Sequence, residues 1–122
     1  MIAAGFGFRK SASAGSLRDA YDRACDAAAP EVVATADDKA MAQAFREFAE
    51  EIGLPVKAVP DDILQQQTTT SQSQASQASH GTGSVAEAAA LAAAGPSARL
   101  LTVRQVSADK LATCALAIRE TS

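Results

Sequence analysis

Short apolar segments alternate with amphipathic segments along most of this chain, and that alternation limits the folds open to it more than any other feature. Apolar runs bounded by glycine, proline or polar residues predict strands at residues 2–8, 32–35, 56–59, 99–106 and 112–118. A length of 122 residues is typical of one domain. We therefore predict a single three-layer α/β/α domain with a mixed, mostly parallel sheet of about five strands.

Three longer segments between these runs have the spacing of helices. They span residues 16–28, 38–52 and 85–94, and a brief helical turn ends near Leu64. In the second helix, a buried stripe is predicted at Met41, Phe45, Phe48 and Ile52. Gly53 and Pro55 then end that helix, since glycine accepts a left-handed cap and proline stops propagation.

Residues 65–79 differ from the rest because they are almost only Gln, Thr, Ser and Ala. Such a segment buries too little apolar surface to offset the entropy of ordering, so we predict a flexible polar loop. A loop this long is either a tolerated insertion or a lid or binding loop.

Charge and composition exclude several classes of function. A formal net charge of −3 disfavours nucleic-acid binding, which needs a basic surface. No apolar run is long enough for a membrane span, and the first residues lack the pattern of a signal peptide, so we expect a cytoplasmic protein without a membrane partner. Cys25 and Cys114 are far apart in the sequence and belong to no CxxC motif, so we predict two buried free thiols in a reducing compartment.

The first candidate site follows the first strand. Gly5 and Gly7 allow close approach of backbone N–H groups to a ligand, and Arg9 and Lys10 add positive charge. Lys10 occupies the third glycine position of the dinucleotide fingerprint, so we predict no nucleotide cofactor. The alternative is a tight turn with two solvated cations.

Lys39 is the second candidate. It falls in the first turn of the predicted helix, where the helix dipole disfavours a cation. Either Asp37 and Asp38 compensate its charge in a salt bridge, or Lys39 contributes to an anion site.

The third candidate is the turn before the last helix. The amides of Gly81 and Gly83 and the hydroxyls of Thr82 and Ser84 form a potential anion site at a helix N-terminus. Ser84 and Glu87 match a capping box, in which Glu87 would reach back to the Ser84 N–H. That favours a structural role for Glu87 over the alternative of a catalytic acid.

His80 is the only histidine and precedes this turn. It can donate a hydrogen bond to a carboxylate, act as a general acid or base, or have no role. A second histidine is lacking, so we predict no metal site.

Three blocks carry a resemblance to a known family: GFGFRK at 5–10, TADDK at 35–39 with a helix ending in GLP at 53–55, and SHGTGSVAEAAALAAAG at 79–95. In this order they resemble the CobE/CbiG C-terminal family of cobalamin (vitamin B12) biosynthesis. Family members often carry an acidic residue soon after the lysine of the second block. Residues 40–43 supply none here, which weakens a carboxylate role beside Lys39.

The resemblance implies an α/β fold and a precorrin or corrin ligand, such as hydrogenobyrinic acid of the aerobic route. Arg9, Lys10, Lys39 and the amides of residues 81–84 would hold its acetate and propionate groups, and the polar loop would close over the ring. The alternatives are a hydrolase acting on a precorrin δ-lactone through His80 or Glu87, an accessory to a precorrin methyltransferase, or a module for an unrelated nucleotide or phosphate. Other enzymes of the pathway are possible partners.

Overall fold

Five strands form one mixed sheet in the computed structural model, which describes residues 1–26 and 28–120, without the side chains of residues 75 and 79. The strands are β1 (Ile2–Phe8), β2 (Val32–Ala36), β3 (Val56–Val59), β4 (Arg99–Val106) and β5 (Ala112–Ile118). Their order across the sheet is β3-β2-β1-β5-β4. The five predicted strands are therefore confirmed.

The direction of the strands decides which chain segments meet. β1, β2 and β3 are parallel neighbours, and β5 runs antiparallel to both β1 and β4. β4 consequently points the same way as the first three strands. The residues that follow β1 and β2 therefore lie at the same edge of the sheet as the end of β4, where open α/β sheets bind their ligands.

Helices cover both faces of the sheet, which confirms the three-layer prediction. The helices are α1 (Ala14–Ala24), α2 (Gln43–Ile52), α3 (Asp61–Gln65), α4 (Gln74–His80) and α5 (Val85–Ala94). α1 and α2 pack on one face around fully buried Phe6, Phe45 and Phe48. The rings of Phe6 and Phe48 meet edge to face with centroids 5.1 Å apart. α3 and α5 cover the other face.

The face under α5 is built from small residues, so its backbones approach closely. Nine of the ten residues of α5 are buried. Six of these nine are alanine and a seventh is Val85. A Cβ on Gly5 of β1 would lie 2.0 Å from the carbonyl oxygen of Ala86. Gly5 is therefore required by the packing of α5 on the sheet.

Two helix boundaries differ from those predicted. α2 begins at Gln43 instead of residue 38, because residues 37–41 form turns in which the Lys39 N–H donates to the Ala36 carbonyl (2.9 Å). Met41 is thus outside the helix and 73% exposed, so its predicted burial is wrong. α1 spans Ala14–Ala24 rather than 16–28. Of its predicted last turn, residue 27 lies outside the described residues.

The segment 65–79 contains α4 where a loop was predicted. Ser73 caps this helix by accepting from the Ser76 N–H, and Gly81 ends it in the left-handed conformation (φ 70°). None of the described side chains in 65–79 is buried, so the segment lacks an apolar anchor. Its flexibility stays a prediction. Over the described part of the chain, no helix combines the length and apolar character that a membrane span requires.

Candidate functional site

A cleft of about 490 Å³ opens at the edge of the sheet where β1, β2 and β4 end. Its walls come from the ends of these strands, the start of β5, helix α4 and the N-terminus of α5. The lining residues are Gly7, Phe8, Arg9, Lys10, Thr35, Lys39, Ser73, Ser76, His80, Ser84, Val85, Arg104, Val106, Lys110, Leu111, Ala112 and Thr113.

The charge of this cleft is positive although the chain as a whole is negative. Five of the 11 lysines and arginines line it, and none of its described lining residues is Asp or Glu. Among the described residues, none of the five takes part in an ion pair. A concave site lined by one sign of charge concentrates counter-ions. The five cations are Arg9, Lys10, Lys39, Arg104 and Lys110.

Lys39 lies over the ring of Phe8, with its Nζ atom 5.3 Å from the ring centroid. This cation–π contact holds the ammonium group at the cleft without consuming its charge in an ion pair. The helix-dipole argument for Lys39 is wrong, because α2 begins four residues later. The salt-bridge alternative is not found among the described residues, because Lys39 pairs with neither Asp37 nor Asp38 and the Asp38 carboxylate is hydrogen-bonded to His80.

The N-terminus of α5 adds polar groups to the cleft. Ser84 and Val85 lie at the first turn of this ten-residue helix and line the wall. Ser73 and Ser76 face the same space from α4. Amides at the start of a helix and hydroxyl groups are the donors that complement anionic ligands.

His80 ends α4 and forms part of the cleft wall. Its side chain is only 8% exposed, and its Nε2 lies 3.0 Å from Asp38 Oδ1. Its Nδ1 is buried and has no hydrogen-bond partner among the described residues. The ring is therefore fixed on one side by a carboxylate and unsatisfied on the other.

Glu87 is fully buried in α5 and does not line the cleft. The N–H groups of Thr70 and Ser71 both donate to its Oε1 at 2.8 Å. The Ser71 hydroxyl (2.7 Å) and the Arg104 N–H (2.9 Å) donate to Oε2. One carboxylate thus joins α5 to β4 and to the segment that leads into α4.

This geometry corrects the predicted capping box. The Ser84 hydroxyl does accept from the Glu87 N–H (3.2 Å), as expected, but the Glu87 carboxylate turns inward instead of reaching back to Ser84. Burial by itself would raise the pKa of Glu87. The hydrogen bonds from Arg104, Ser71 and Thr70 outweigh that effect and lower the pKa of Glu87 below its ordinary value. An ionised, enclosed carboxylate has no path to a ligand in the cleft.

The predicted ligand-binding residues separate into two groups. Gly7, Arg9, Lys10, Lys39, His80 and Ser84 come together in the cleft. Gly5 does not, because α5 covers it.

The turn at residues 81–83 also lies outside the lining of the cleft. Gly81 packs against Gln65, Thr82 is buried, and the Gly83 carbonyl accepts from the Ser73 N–H (2.6 Å). These residues hold the polar segment in place, and the predicted anion site shrinks to Ser84 and Val85.

Arg104, Lys110, Ser73 and Ser76 line the cleft but were missed from the sequence. Arg104 and Arg9 line the same cleft because β4 runs in the direction of β1 with β5 between them. No local sequence pattern predicts that strand order. Lys110 adopts a left-handed backbone (φ 63°) in the turn between β4 and β5. A bulky residue in that conformation is uncommon, and such residues concentrate at functional sites.

A second cavity of about 540 Å³ adjoins the first. Phe8, Lys10 and Lys39 line both cavities, so these residues form the boundary between them. The two cavities together offer a longer groove than either one alone.

Comparison with known proteins agrees with the resemblance of the three sequence blocks. The family described as "Cobalamin synthesis G C-terminus" matches residues 2–117. The structure of CobE, a protein from the cobalamin (vitamin B12) biosynthetic pathway, superposes with a TM-score of 0.88 at 29% identity, covering 100% of this chain and 92% of that one. Cobalamin biosynthesis protein chiG from Agrobacterium tumefaciens is 31% identical, with a TM-score of 0.76 and 99% and 100% coverage.

A third solved structure shares the fold at lower identity. It is a cobalamin biosynthesis protein G homolog from Sulfolobus solfataricus, with a TM-score of 0.70 and 18% identity. The match covers 98% of this chain but 37% of that longer protein. A search of curated protein sequences found no match.

Proposed function

The chain belongs to the Cobalamin synthesis G C-terminus family, and from that premise we propose that its cleft binds a precorrin or corrin intermediate and hands it on. Such an intermediate, for example hydrogenobyrinic acid of the aerobic route, is a large apolar ring with acetate and propionate groups along its rim. A protein that holds it needs several cations around an apolar surface.

The observation that carries this proposal is the convergence of five cations on one cleft, whose described lining residues include no Asp or Glu, in a chain with a net charge of −3. Outside the cleft, by contrast, Arg18, Arg23 and Arg99 each form an ion pair with a carboxylate. Hydrogen bonds between ionised partners are shorter and stronger than neutral ones, so several carboxylates would bind with more affinity than one.

The size and the apolar surface of the cleft also fit such a ligand. Ligand sites commonly enclose about 300–1,000 Å³, and this cleft has about 490 Å³. Phe8, Val85 and Leu111 give it apolar wall for the ring, while the cations lie around them for the rim. The adjoining cavity would accept further groups past Lys10 and Lys39.

Titration with hydrogenobyrinic acid, followed by visible absorption and by co-elution from a desalting column, tests the proposal. Arg9→Gln should weaken binding by about 10–100-fold, since a hydrogen bond to a charged group contributes about 1.5–3 kcal/mol. The matched control is Arg46→Gln, which removes an exposed arginine outside the cleft. A failure to bind, or an equal loss in both variants, would refute the proposal.

A hydrolase acting on a precorrin δ-lactone is the second candidate, and the pairing of His80 with Asp38 at the cleft wall favours it. An imidazole oriented by a carboxylate is a common general base. Incubation of the protein with a lactone-bearing precorrin tests this candidate. Ring opening that disappears in His80→Gln would support hydrolysis. An unchanged lactone would contradict the hydrolase and leave only the binding role.

A further inference from the structure

We propose that His80 links ligand binding to proton uptake: a polyanion that enters the cleft brings a proton onto Nδ1 of His80. Nδ1–H then donates to an anionic group of the ligand. This inference rests on the proposed function and adds to it the residue that makes binding depend on pH.

The hydrogen bond to Asp38 defines the neutral form of the ring. A carboxylate only accepts hydrogen bonds, so Nε2 of His80, at 3.0 Å from Asp38 Oδ1, carries the hydrogen. In a neutral imidazole the other nitrogen is then a bare acceptor. That nitrogen is Nδ1, the buried atom that has no partner among the described residues.

An unsatisfied polar atom at 8% side-chain exposure is a cost that folded proteins rarely leave unexplained. No donor of the described residues reaches it, and in this proposal the ligand supplies the partner. A ligand rimmed by ionised carboxylates has only acceptors to offer there. A bare Nδ1 and a carboxylate are both acceptors, so they can form a hydrogen bond only if a proton lies between them. In this proposal Nδ1 takes that proton from the buffer.

The charges around the ring make this protonation conditional on the ligand. The Asp38 carboxylate, on the turn after β2, lies on one side of the ring, and five cations share the cleft with it. A polyanion in the cleft would offset the charge of these cations. The groups that share the cleft with His80 are Arg9 and Lys10 after β1, Lys39 beside Asp38, Arg104 on β4 and Lys110 in the β4–β5 turn.

The location of His80 lets the ring adjust to a ligand. α4 has only seven residues, and no described side chain between 65 and 79 is buried. The hydrogen bonds that hold α4 and the residues just before it involve the Glu87 carboxylate, the Gln65 side chain and the Ser73 N–H. The proposal requires a small shift of this helix to bring Nδ1 to the ligand, and such a shift would break polar contacts of the segment rather than apolar ones.

Because the chain has a single histidine, the imidazole ¹⁵N signals report this event without ambiguity. Protein labelled with ¹⁵N-histidine at pH 8 should show one protonated and one bare nitrogen. With saturating hydrogenobyrinic acid, both nitrogens should become protonated. If the ligand binds and Nδ1 remains bare, this inference is wrong while the cationic cleft stands.

The pH dependence of affinity provides the second readout. Uptake of one proton predicts that affinity falls as pH rises, by at most tenfold per pH unit. Both His80→Gln and Asp38→Asn should flatten this dependence, whereas the matched Asp37→Asn should retain it. A profile that is unchanged in His80→Gln would contradict the inference.

Failure of the proposed function can be told apart from failure of this inference. If hydrogenobyrinic acid does not bind, citrate serves as a simple tricarboxylate probe of the same cleft. Citrate binding with protonation of Nδ1 would support the inference alone. Citrate binding without protonation of Nδ1, or no binding of either probe, would overturn the inference.

Discussion

The two regions that flank the cleft are held together by opposite kinds of interaction. On the side of α1 and α2, Phe6, Phe45 and Phe48 are fully buried and contact one another. On the side of α4, the residues from 65 to 79 bury no described side chain and attach through polar contacts, above all to Glu87. Apolar burial therefore stabilises the sheet, whereas hydrogen bonds set the position of the cleft wall that contains α4.

Removal of an aromatic ring should produce the largest effect. Phe45→Ala deletes a fully buried side chain and should lower the free energy of unfolding by about 3–5 kcal/mol. Met41→Ala, only four residues away in sequence but 73% exposed, should change it by less than about 0.5 kcal/mol. Urea denaturation measures both values. Similar losses in the two variants would break the distinction between core and surface.

The alanine-rich face should respond to added volume rather than to lost volume. Gly5→Ala places a Cβ 2.0 Å from the Ala86 carbonyl, so α5 must move, and we expect a loss of about 1–3 kcal/mol or more. Gly15→Ala in α1 is the control. Its Cβ would meet only Ser13 Oγ at 3.5 Å, and the higher helix propensity of alanine should make it neutral or stabilising. Thermal unfolding compares the pair.

Glu87→Gln tests the polar side of the comparison. The amide nitrogen of the new side chain cannot accept a hydrogen bond, so partly buried donors are left unpaired at a cost of up to about 3 kcal/mol. Hydrogen exchange should accelerate at Thr70 and Ser71 and through α4, while α1 remains protected. The exposed Glu50→Gln is the matched control. Uniform acceleration across the chain would show that Glu87 supports the whole fold instead of one wall.

Acid should reproduce the effect of Glu87→Gln in a weaker, graded form. The pKa of Glu87 is held below its ordinary value of 4.5 by the bonds from Arg104, Ser71 and Thr70, which exceed the opposing effect of burial. Its contribution is therefore complete above about pH 4.5 and is lost as pH falls through the lower folded pKa. Protection of Thr70 and Ser71 should decline in that window and stay flat in Glu87→Gln. Loss of protection between pH 7 and 5 would contradict this assignment.

The same division explains what the sequence could predict. Strands and the stripe of Phe45 and Phe48 follow from local periodicity, and the structure confirms them. The predicted burial of Met41 was wrong because a turn, closed by the hydrogen bond from the Lys39 N–H to the Ala36 carbonyl, precedes α2. Hydrophobic spacing does not encode that turn.

The candidate site was predictable only in part, for a physical reason. Arg9 and Lys39 follow neighbouring parallel strands, so a strand pattern is enough to bring them together. Arg104 and Lys110 depend on the pairing of β4 with β5, and the partners of Glu87 lie 16 or 17 residues away in both directions along the chain. Residues 81–83 looked like an anion site, yet Gln65 and Ser73 occupy their surroundings.

The proposed cleft is an anion site to which all of its walls contribute. The most direct test is a titration of the Arg104→Gln/Lys110→Gln double variant with hydrogenobyrinic acid at low and moderate salt, beside Lys57→Gln, an exposed lysine on β3. We predict that affinity in the double variant falls by at least tenfold and depends less on salt, while Lys57→Gln binds as the unaltered protein does. Equal affinity and equal salt dependence in all three proteins would contradict the claim.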